Sequence, residues 1–125
     1  MHDASRRLTS RTDIIHFDFD YTILPPAIFN ISFHRPAIIE ATEDIDVQIV
    51  FNNAGYIVTG FFDHTSLDAQ LANLECNATA CVKVTHHFLK EMLTKKLKGT
   101  FVFTSSVSGY IPNPFAVIYG ATKGK

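Results

Sequence analysis

The sequence predicts an α/β fold built on a parallel sheet, and three strand-like segments carry this prediction. The segments are Ile14–Phe19, Val47–Phe51 and Thr100–Thr104, and each is rich in β-branched or aromatic residues. The last two are close to continuously apolar, which is typical of strands covered on both faces of a parallel sheet. A weak helical segment separates the first two and a long one separates the last two, which is the alternation of a parallel α/β domain.

Length and composition fit one globular domain over residues 1–125. The chain has 125 residues, 46% of them hydrophobic, and a formal net charge of −1. The apolar content excludes a disordered chain, and the lack of a basic surplus argues against nucleic acid or an anionic membrane as a partner. The richest apolar stretch, Ile49–Phe62, is interrupted by polar residues and is shorter than the roughly 18 residues that a membrane helix needs.

The segment between the first two strands predicts one short helix at most. Pro25 and Pro26 break any longer helix. Pro36 can be the first residue of a short helix through Ala41, because proline is well tolerated at the first helical position.

The clearest helix is predicted between the second and third strands. Thr65 followed by Asp68 forms a start similar to a capping box, and Gly99 is expected to stop the helix after a group of lysines. Its predicted apolar face, with alternating steps of four and three residues, consists of Leu67, Leu71, Leu74, Ala78, Cys81, Thr85, Phe88 and Met92. We expect this face to pack in the core, and pairing of part of it with another subunit is the alternative.

The cysteines and histidines predict neither a disulfide nor a metal site. Cys76 and Cys81 are five residues apart, which places them on different sides of a regular helix, so we expect reduced thiols. Reduced thiols and the lack of a secretory signal favour the cytoplasm. The adjacent His86 and His87 lack the spacing of metal ligands, and the cysteines do not form a Cys-x-x-Cys pair.

Three polar motifs follow the predicted strands, where open parallel sheets bind their ligands. Asn52–Gly55 (Asn-Asn-Ala-Gly) leaves the second strand, and Ser106–Gly109 (Ser-x-x-Gly) follows the third. Tyr119–Lys123 (Tyr-x-x-x-Lys) opens a further helix, with its tyrosine 13 positions after the serine. In the order and spacing of these motifs, the chain resembles the short-chain dehydrogenase/reductase family, from about Ile14 to its end.

The resemblance implies a Rossmann-like, doubly wound parallel sheet that is incomplete, with the family's third, fourth and fifth strands retained. The chain would then be a single, partial dinucleotide-binding and catalytic domain. The fourth and fifth strands are neighbours in such sheets, so Val47–Phe51 should pair with Thr100–Thr104. The resemblance also implies the cofactor NAD(P)(H), with NAD versus NADP left open, and a small-molecule substrate whose carbonyl and alcohol forms are interconverted by hydride transfer.

The chemistry of this reaction explains the residue types of the motifs. A proton must move to or from the substrate oxygen, and a free phenol is a poor base near neutral pH. Lys123 lies four residues after Tyr119 on the same helical face, where its charge favours the phenolate. We therefore expect Tyr119 to be the general acid/base, with Lys123 assisting it. Ser106 can polarise or orient the substrate oxygen, and by resemblance Asn77 holds a water molecule of the proton relay.

By resemblance, the cofactor contacts come from both halves of the chain. The expected cofactor-binding residues are Asp18, Asn53, Ala54, Gly55, Tyr119 and Lys123. The aspartate is expected near the adenine and the next three residues on the adenosine side of the cofactor. Lys123 is expected to bond to the nicotinamide ribose.

Each of these residues also has an ordinary structural alternative. Asn52–Gly55 can be a plain turn, since Asn and Gly tolerate a positive φ. Ser106 can be a helix cap, Asn77 a solvent-facing residue that interrupts a helix, Lys123 a solvated surface charge, and Asp18 a loop acid. Three motifs in the family's order favour the site over these alternatives.

The chain departs from the family in the phosphate-binding loop. The pattern Gly-x-x-x-Gly-x-Gly, which places a pyrophosphate on a helix N-terminus, does not occur in the sequence. We therefore expect the chain alone to be inactive, and open sheet edges to leave it marginally stable. The alternative function is a non-catalytic interaction module that pairs through the Leu67–Met92 helix, either in a homo-oligomer or with a longer relative.

Overall fold

The computed structural model describes residues 35–124, which form four α-helices and a sheet of two strands. In chain order the elements are α1 (Arg35–Thr42), β1 (Ile49–Asn52), α2 (Leu67–Leu74), a π-helical turn (Glu75–Thr79), α3 (Ala80–Thr94), β2 (Thr100–Phe103), a 3-10 turn (Val107–Gly109) and α4 (Val117–Lys123). The strand predicted over Ile14–Phe19, together with Asp18, lies outside the described residues.

The sheet confirms the predicted parallel α/β arrangement. β1 and β2 are hydrogen-bonded parallel neighbours, with Ile49 opposite Thr100 and Asn52 opposite Phe103. The connection runs through α2 and α3, as a parallel crossover requires. Because both strands run in the same direction, the segments that follow Asn52 and Phe103 leave the same edge of the sheet.

The core of the described chain lies between the sheet and the helices on one side of it. Ile38 of α1, Val50 of β1, and Phe88 and Met92 of α3 form a buried apolar cluster. On β1 the exposures alternate, and Phe51 is 68% exposed beside the buried Val50.

The start of α2 differs from the prediction by one residue. Ser66, and not Thr65, is the N-cap, and its side chain accepts a hydrogen bond from the Ala69 amide at 3.3 Å. The Thr65 hydroxyl instead donates to the Phe61 carbonyl at 3.0 Å. Neighbouring hydroxyl residues compete for the cap, and the backbone geometry selects the second.

The end of α3 also differs from the prediction, because Lys96 and not Gly99 is the left-handed residue. Lys96 has φ 54°, and its amide donates to the Leu93 carbonyl at 3.2 Å. The Leu97 amide donates to the Met92 carbonyl at 2.8 Å. These two bonds form a Schellman motif, which usually places glycine at the left-handed position.

Gly99 has a packing role before β2. A Cβ atom at this position would lie 2.5 Å from Met92 Sδ and 2.6 Å from the Gln48 carbonyl oxygen. The chain therefore enters β2 through a space that only glycine fits.

The predicted apolar face is wrong over α2. Its leucines are exposed: Leu67 at 68%, Leu71 at 52% and Leu74 at 40%. Gln70 and Asn73 are buried in their place. The buried side of α2 therefore carries two polar residues beside Ala72.

The π-helical turn explains this change of face. It inserts one residue between α2 and α3, which rotates the following side chains by roughly 100° relative to a regular helix. Phe88 and Met92 consequently continue the side of Asn73 and not that of the leucines. The same insertion corrects the prediction for Cys76 and Cys81, which are both buried; no disulfide joins them. Within residues 35–124, no helix is long and apolar enough to cross a membrane.

Candidate active site

The helix α4 carries a buried lysine at the edge of the sheet. Lys123 is 4% exposed, and its Nζ atom donates to the Thr104 carbonyl, just after β2, at 3.1 Å. No carboxylate among the described residues pairs with it. An ammonium carries three donors, so two remain for a ligand or water. The alternative of a solvated surface charge is wrong.

Tyr119 precedes Lys123 by one helical turn. The Lys123 Nζ atom lies 5.6 Å from the centroid of the Tyr119 ring, and the tyrosine is half-buried. The four-residue spacing on α4 therefore brings the ammonium over the phenol ring, as the sequence predicts for two residues on one helical face.

Asn77 lies in the π-helical turn and connects the loop after β1 to α4. Its side chain is completely buried. Its Oδ1 atom accepts from the Tyr56 amide at 3.0 Å, and its Nδ2 atom donates to the Tyr56 carbonyl at 2.9 Å. The Nδ2 atom also donates to Thr122 Oγ1 at 3.2 Å. The alternative of a solvent-facing residue is wrong.

Gly55 lies close to both Asn77 and Lys123. A Cβ atom on Gly55 would lie 3.1 Å from Asn77 Oδ1 and 3.1 Å from Lys123 Nζ, which is closer than most Cβ contacts. Glycine therefore allows the backbone to pass close to both side chains. Residues 53–59 run without a turn, so the plain-turn alternative is also wrong.

The Ser-x-x-Gly motif packs against the end of α4. Ser106 accepts from the Ser108 amide at 3.3 Å and caps the 3-10 turn, which is the structural alternative considered for it. A hydroxyl that accepts one bond keeps its own proton for a second. Ser105 Oγ donates to the Lys123 carbonyl at 2.5 Å. A Cβ atom on Gly109 would lie 2.5 Å from the same carbonyl oxygen.

The two asparagines of the first motif have different surroundings. Asn52 is buried, and its Nδ2 atom donates to Thr85 Oγ1 on α3 at 3.0 Å. Asn53 is exposed, and its Oδ1 atom accepts from Thr104 Oγ1 at 2.8 Å. Asn52 therefore holds the strand to the helix, whereas Asn53 joins the ends of the two strands beside the half-buried Ala54.

Sequence reasoning missed two buried polar residues of this site. Asn73 is completely buried and donates through Nδ2 to the Tyr56 carbonyl at 2.7 Å. Thr122 is 4% exposed, accepts from Asn77 and donates to the Tyr119 carbonyl at 2.9 Å. The available signal for Asn73 was a second asparagine four residues before Asn77, on the same side of a helix.

The phenol of Tyr56 lies in an unfavourable place for ionisation. Burial raises the pKa of Tyr56 above its ordinary value of 10.0, and the nearby Cys76 adds to the effect. The phenol therefore stays protonated at neutral pH.

No metal centre accompanies the site in the part of the chain that the structure describes. No group of three or more His, Cys, Asp or Glu side chains there has a geometry that could hold an ion.

Comparison with known proteins agrees with the motifs. A family model described as short chain dehydrogenase matches residues 32–125. An uncharacterized short-chain type dehydrogenase/reductase of Sinorhizobium fredii is 37% identical over 84 residues, which are 66% of this chain and 33% of that protein. The chain thus spans about a third of the length of this relative.

Solved structures give the same fold. A 4-hydroxyisoleucine dehydrogenase in complex with NADH superposes with a TM-score of 0.64 at 26% identity, over 70% of this chain and 38% of its own. A serine dehydrogenase in complex with NADP+ superposes with a TM-score of 0.65 at 24% identity, over 74% of this chain and 39% of its own. Together with the parallel pair β1–β2, these likenesses establish an incomplete Rossmann-like α/β fold.

Proposed function

Because the chain belongs to the short-chain dehydrogenase/reductase family, we propose that its described residues form the nicotinamide-ribose and proton-transfer part of an NAD(P)-dependent oxidoreductase site. The observation that carries this proposal is the buried Lys123 ammonium. It has one carbonyl acceptor among the described residues, and the backbone of Gly55 approaches it closely. A buried charge is costly unless polar groups satisfy it, and the two hydroxyls of a ribose would supply acceptors for its remaining donors.

The residues around Lys123 have distinct proposed roles. When bound, the nicotinamide exchanges a hydride with a carbon of the substrate. Tyr119 gives or takes the proton of the substrate oxygen, and the Lys123 ammonium lies next to its ring. Ser106 orients the substrate oxygen with its remaining hydroxyl proton. Asn77 fixes the loop after β1 against α4 and holds a relay water.

The adenosine side of the proposed site is formed by the loop after β1. Asn53, Ala54 and Gly55 follow the strand at the edge where open parallel sheets bind ligands. We place Asp18 near the adenine in this proposal, on the basis of its position in the sequence. One similar solved structure is in complex with NADH and another with NADP+. The proposed cofactor is therefore a nicotinamide dinucleotide of either kind. The substrate is proposed as a small-molecule carbonyl or alcohol, and the location as cytoplasmic.

We do not expect the 125-residue chain alone to bind NAD(P)H tightly. The pattern Gly-x-x-x-Gly-x-Gly, which would place the pyrophosphate on a helix N-terminus, does not occur in these 125 residues. We therefore expect NAD(P)H fluorescence to show no saturation in the micromolar range with the isolated chain. Saturation in that range would show that other residues hold the phosphates and would overturn the expected inactivity of the chain alone.

The ribose site can be tested at higher ligand concentration. We expect millimolar reduced nicotinamide mononucleotide to shift the backbone amide signals of Gly55, Asn77 and Lys123 in the isotope-labelled 125-residue chain. Lys123→Met should abolish the shifts, because it removes the donors and keeps the chain length. Lys90→Met, at an exposed position of α3, is the matched control and should leave them unchanged. Equal shifts in both variants, or none in the original chain, would contradict the proposal.

A non-catalytic interaction module is the second candidate, and the exposed leucines of α2 favour it. Leu67 and Leu71 are more than half exposed on one side of the Leu67–Met92 helix. Such a row fits pairing of two chains. We expect Leu71→Glu to shift the chain towards the monomer in sedimentation velocity. Val107→Glu, at an exposed apolar residue of the 3-10 turn, should have no effect. A chain that is monomeric before substitution would rule out pairing of this chain with itself.

A further inference from the structure

Asn73 of α2 is a completely buried polar residue with an incomplete set of hydrogen bonds. Its Nδ2 atom donates to the Tyr56 carbonyl at 2.7 Å. Its Oδ1 atom is buried and has no hydrogen-bond partner among the residues that the structure describes. A buried acceptor without a donor lowers stability, and an apolar side chain at this position would avoid that cost. The hydrogen bond that the Nδ2 atom donates is therefore the reason for an asparagine at this position.

The donor side of Asn73 holds the peptide group that orients Asn77. The Tyr56 carbonyl accepts from Asn73 at 2.7 Å and from Asn77 at 2.9 Å, one donor for each of its lone pairs. The Tyr56 amide donates to Asn77 Oδ1 at 3.0 Å. Since one peptide group satisfies both ends of the Asn77 amide, its orientation is fixed, and its second proton points to Thr122 on α4.

We propose that Asn73 is a positioning residue, which clamps the Tyr56 peptide group and thereby holds Gly55 and Asn77 against Lys123. Tyr56 follows Gly55 directly, and a Cβ atom on Gly55 would lie 3.1 Å from both Asn77 Oδ1 and Lys123 Nζ. A peptide group held by two asparagines keeps this glycine from moving away from the ammonium. The functional part of the inference rests on the proposed ribose site, whereas the clamp is a property of the folded chain.

Amide hydrogen exchange in the 125-residue chain tests the clamp without any cofactor. Asn73→Leu removes the donor and the unsatisfied acceptor together. We expect exchange of the Tyr56 amide to become at least about tenfold faster through local opening. The Thr100 amide, which donates to the Gln48 carbonyl at 2.8 Å in the sheet, should keep its rate. Gln70→Leu, at a similarly buried polar residue of α2, is the control. It should change neither the exchange rate of the Tyr56 amide nor the ratio of that rate to the rate of the Thr100 amide.

Asn73→Asp provides a second variant of nearly unchanged shape. When ionised, the introduced carboxylate cannot donate to the Tyr56 carbonyl, whereas its protonated form can. The ratio of Tyr56 to Thr100 exchange should therefore rise at neutral pH and return towards the original ratio as the pH falls. A residue that only fills space would give a ratio independent of pH.

The outcomes separate the clamp from the function. An unchanged Tyr56-to-Thr100 ratio in both Asn73 variants, or a ratio in Asn73→Asp that does not recover in acid, would overturn the clamp. Faster Tyr56 exchange with weaker nicotinamide mononucleotide shifts at Gly55 supports the whole inference. Faster exchange in a chain whose signals never respond to the nucleotide would leave the clamp in place and refute the ribose site.

Discussion

Replacing Gly109 by alanine is the sharpest test of the contact between the Ser-x-x-Gly motif and α4. The added Cβ atom would lie 2.5 Å from the Lys123 carbonyl oxygen, 2.6 Å from its carbonyl carbon and 2.8 Å from the Gly124 nitrogen. All three are backbone atoms, so no side-chain rotation can relieve the overlap. The 3-10 turn and the end of α4 must separate by roughly 1 Å, and overpacking of this kind costs about 1–3 kcal/mol.

The separation also affects the proposed site, because the displaced backbone carries Lys123. Ser105 Oγ bonds to the same carbonyl oxygen that the new Cβ atom would approach. A displacement of roughly 1 Å in a catalytic group can cost about 10²-fold in rate. We expect Gly109→Ala to lower the thermal midpoint by several degrees and to weaken the nicotinamide mononucleotide shifts at Gly55.

Gly124→Ala is the matched control, since it adds the same atom to the other side of the same contact. Its Cβ atom would lie 3.4 Å from the Gly109 carbonyl oxygen and 4.0 Å from that of Ala121, which are ordinary contacts. Its backbone φ of −79° suits alanine, and we expect a change within about 0.5 kcal/mol. Equal thermal midpoints for the two variants would refute the inference that the motif glycine is required by close packing.

Three further substitutions test other features of the fold. Lys96→Gly should raise the free energy of unfolding by about 1 kcal/mol, because glycine adopts the left-handed conformation without the strain that a Cβ atom causes. Denaturant unfolding measures this change, and a decrease would contradict the assignment of the end of α3. Gly99→Ala should lower the same quantity by about 1–3 kcal/mol, since Met92 can move but the backbone carbonyl on the other side cannot; an unchanged midpoint would contradict this. The pKa of Tyr56 is raised in the fold, so its contribution to stability is present below pH 10.0 and is lost as the pH rises through the folded value. Tyr56→Phe should therefore weaken the alkaline loss of stability, and Tyr110→Phe, at an 80% exposed tyrosine, should not; identical alkaline curves would contradict the burial of the phenol.

The strands and the short first helix were predictable because their signals are local. An apolar, β-branched run is read from a few adjacent residues, and β1 and β2 lie within a residue or two of their predicted bounds. The pairing of β1 with β2 followed from the resemblance to the family and is confirmed. Tyr119 and Lys123 were predictable as neighbours because four residues make about one helical turn.

The buried face of the long helix was not predictable from periodicity. A stripe with steps of three and four assumes one helical period, and the π-helical turn Glu75–Thr79 changes that period in the middle. The leucines of α2 consequently lie outside, and Asn73 takes the place that an apolar residue was expected to hold. The observed end of α3 also differs from the predicted one. Gly99 is required for its close contact with Met92, and Lys96 is the residue in the left-handed conformation.

The order and spacing of three short motifs were sufficient to identify the family, because each motif is encoded within a few consecutive residues. The surroundings of Lys123 depend on segments far apart in the chain. Gly55 and Thr104 come close to it only after parallel pairing has brought the ends of β1 and β2 to one edge, and the π-helical turn directs Asn77 towards the neighbouring Thr122. Burial of the ammonium and the clamp on Tyr56 are therefore properties of the packed molecule. Neither desolvation nor a hydrogen bond across 17 residues can be predicted from adjacent residues of the sequence.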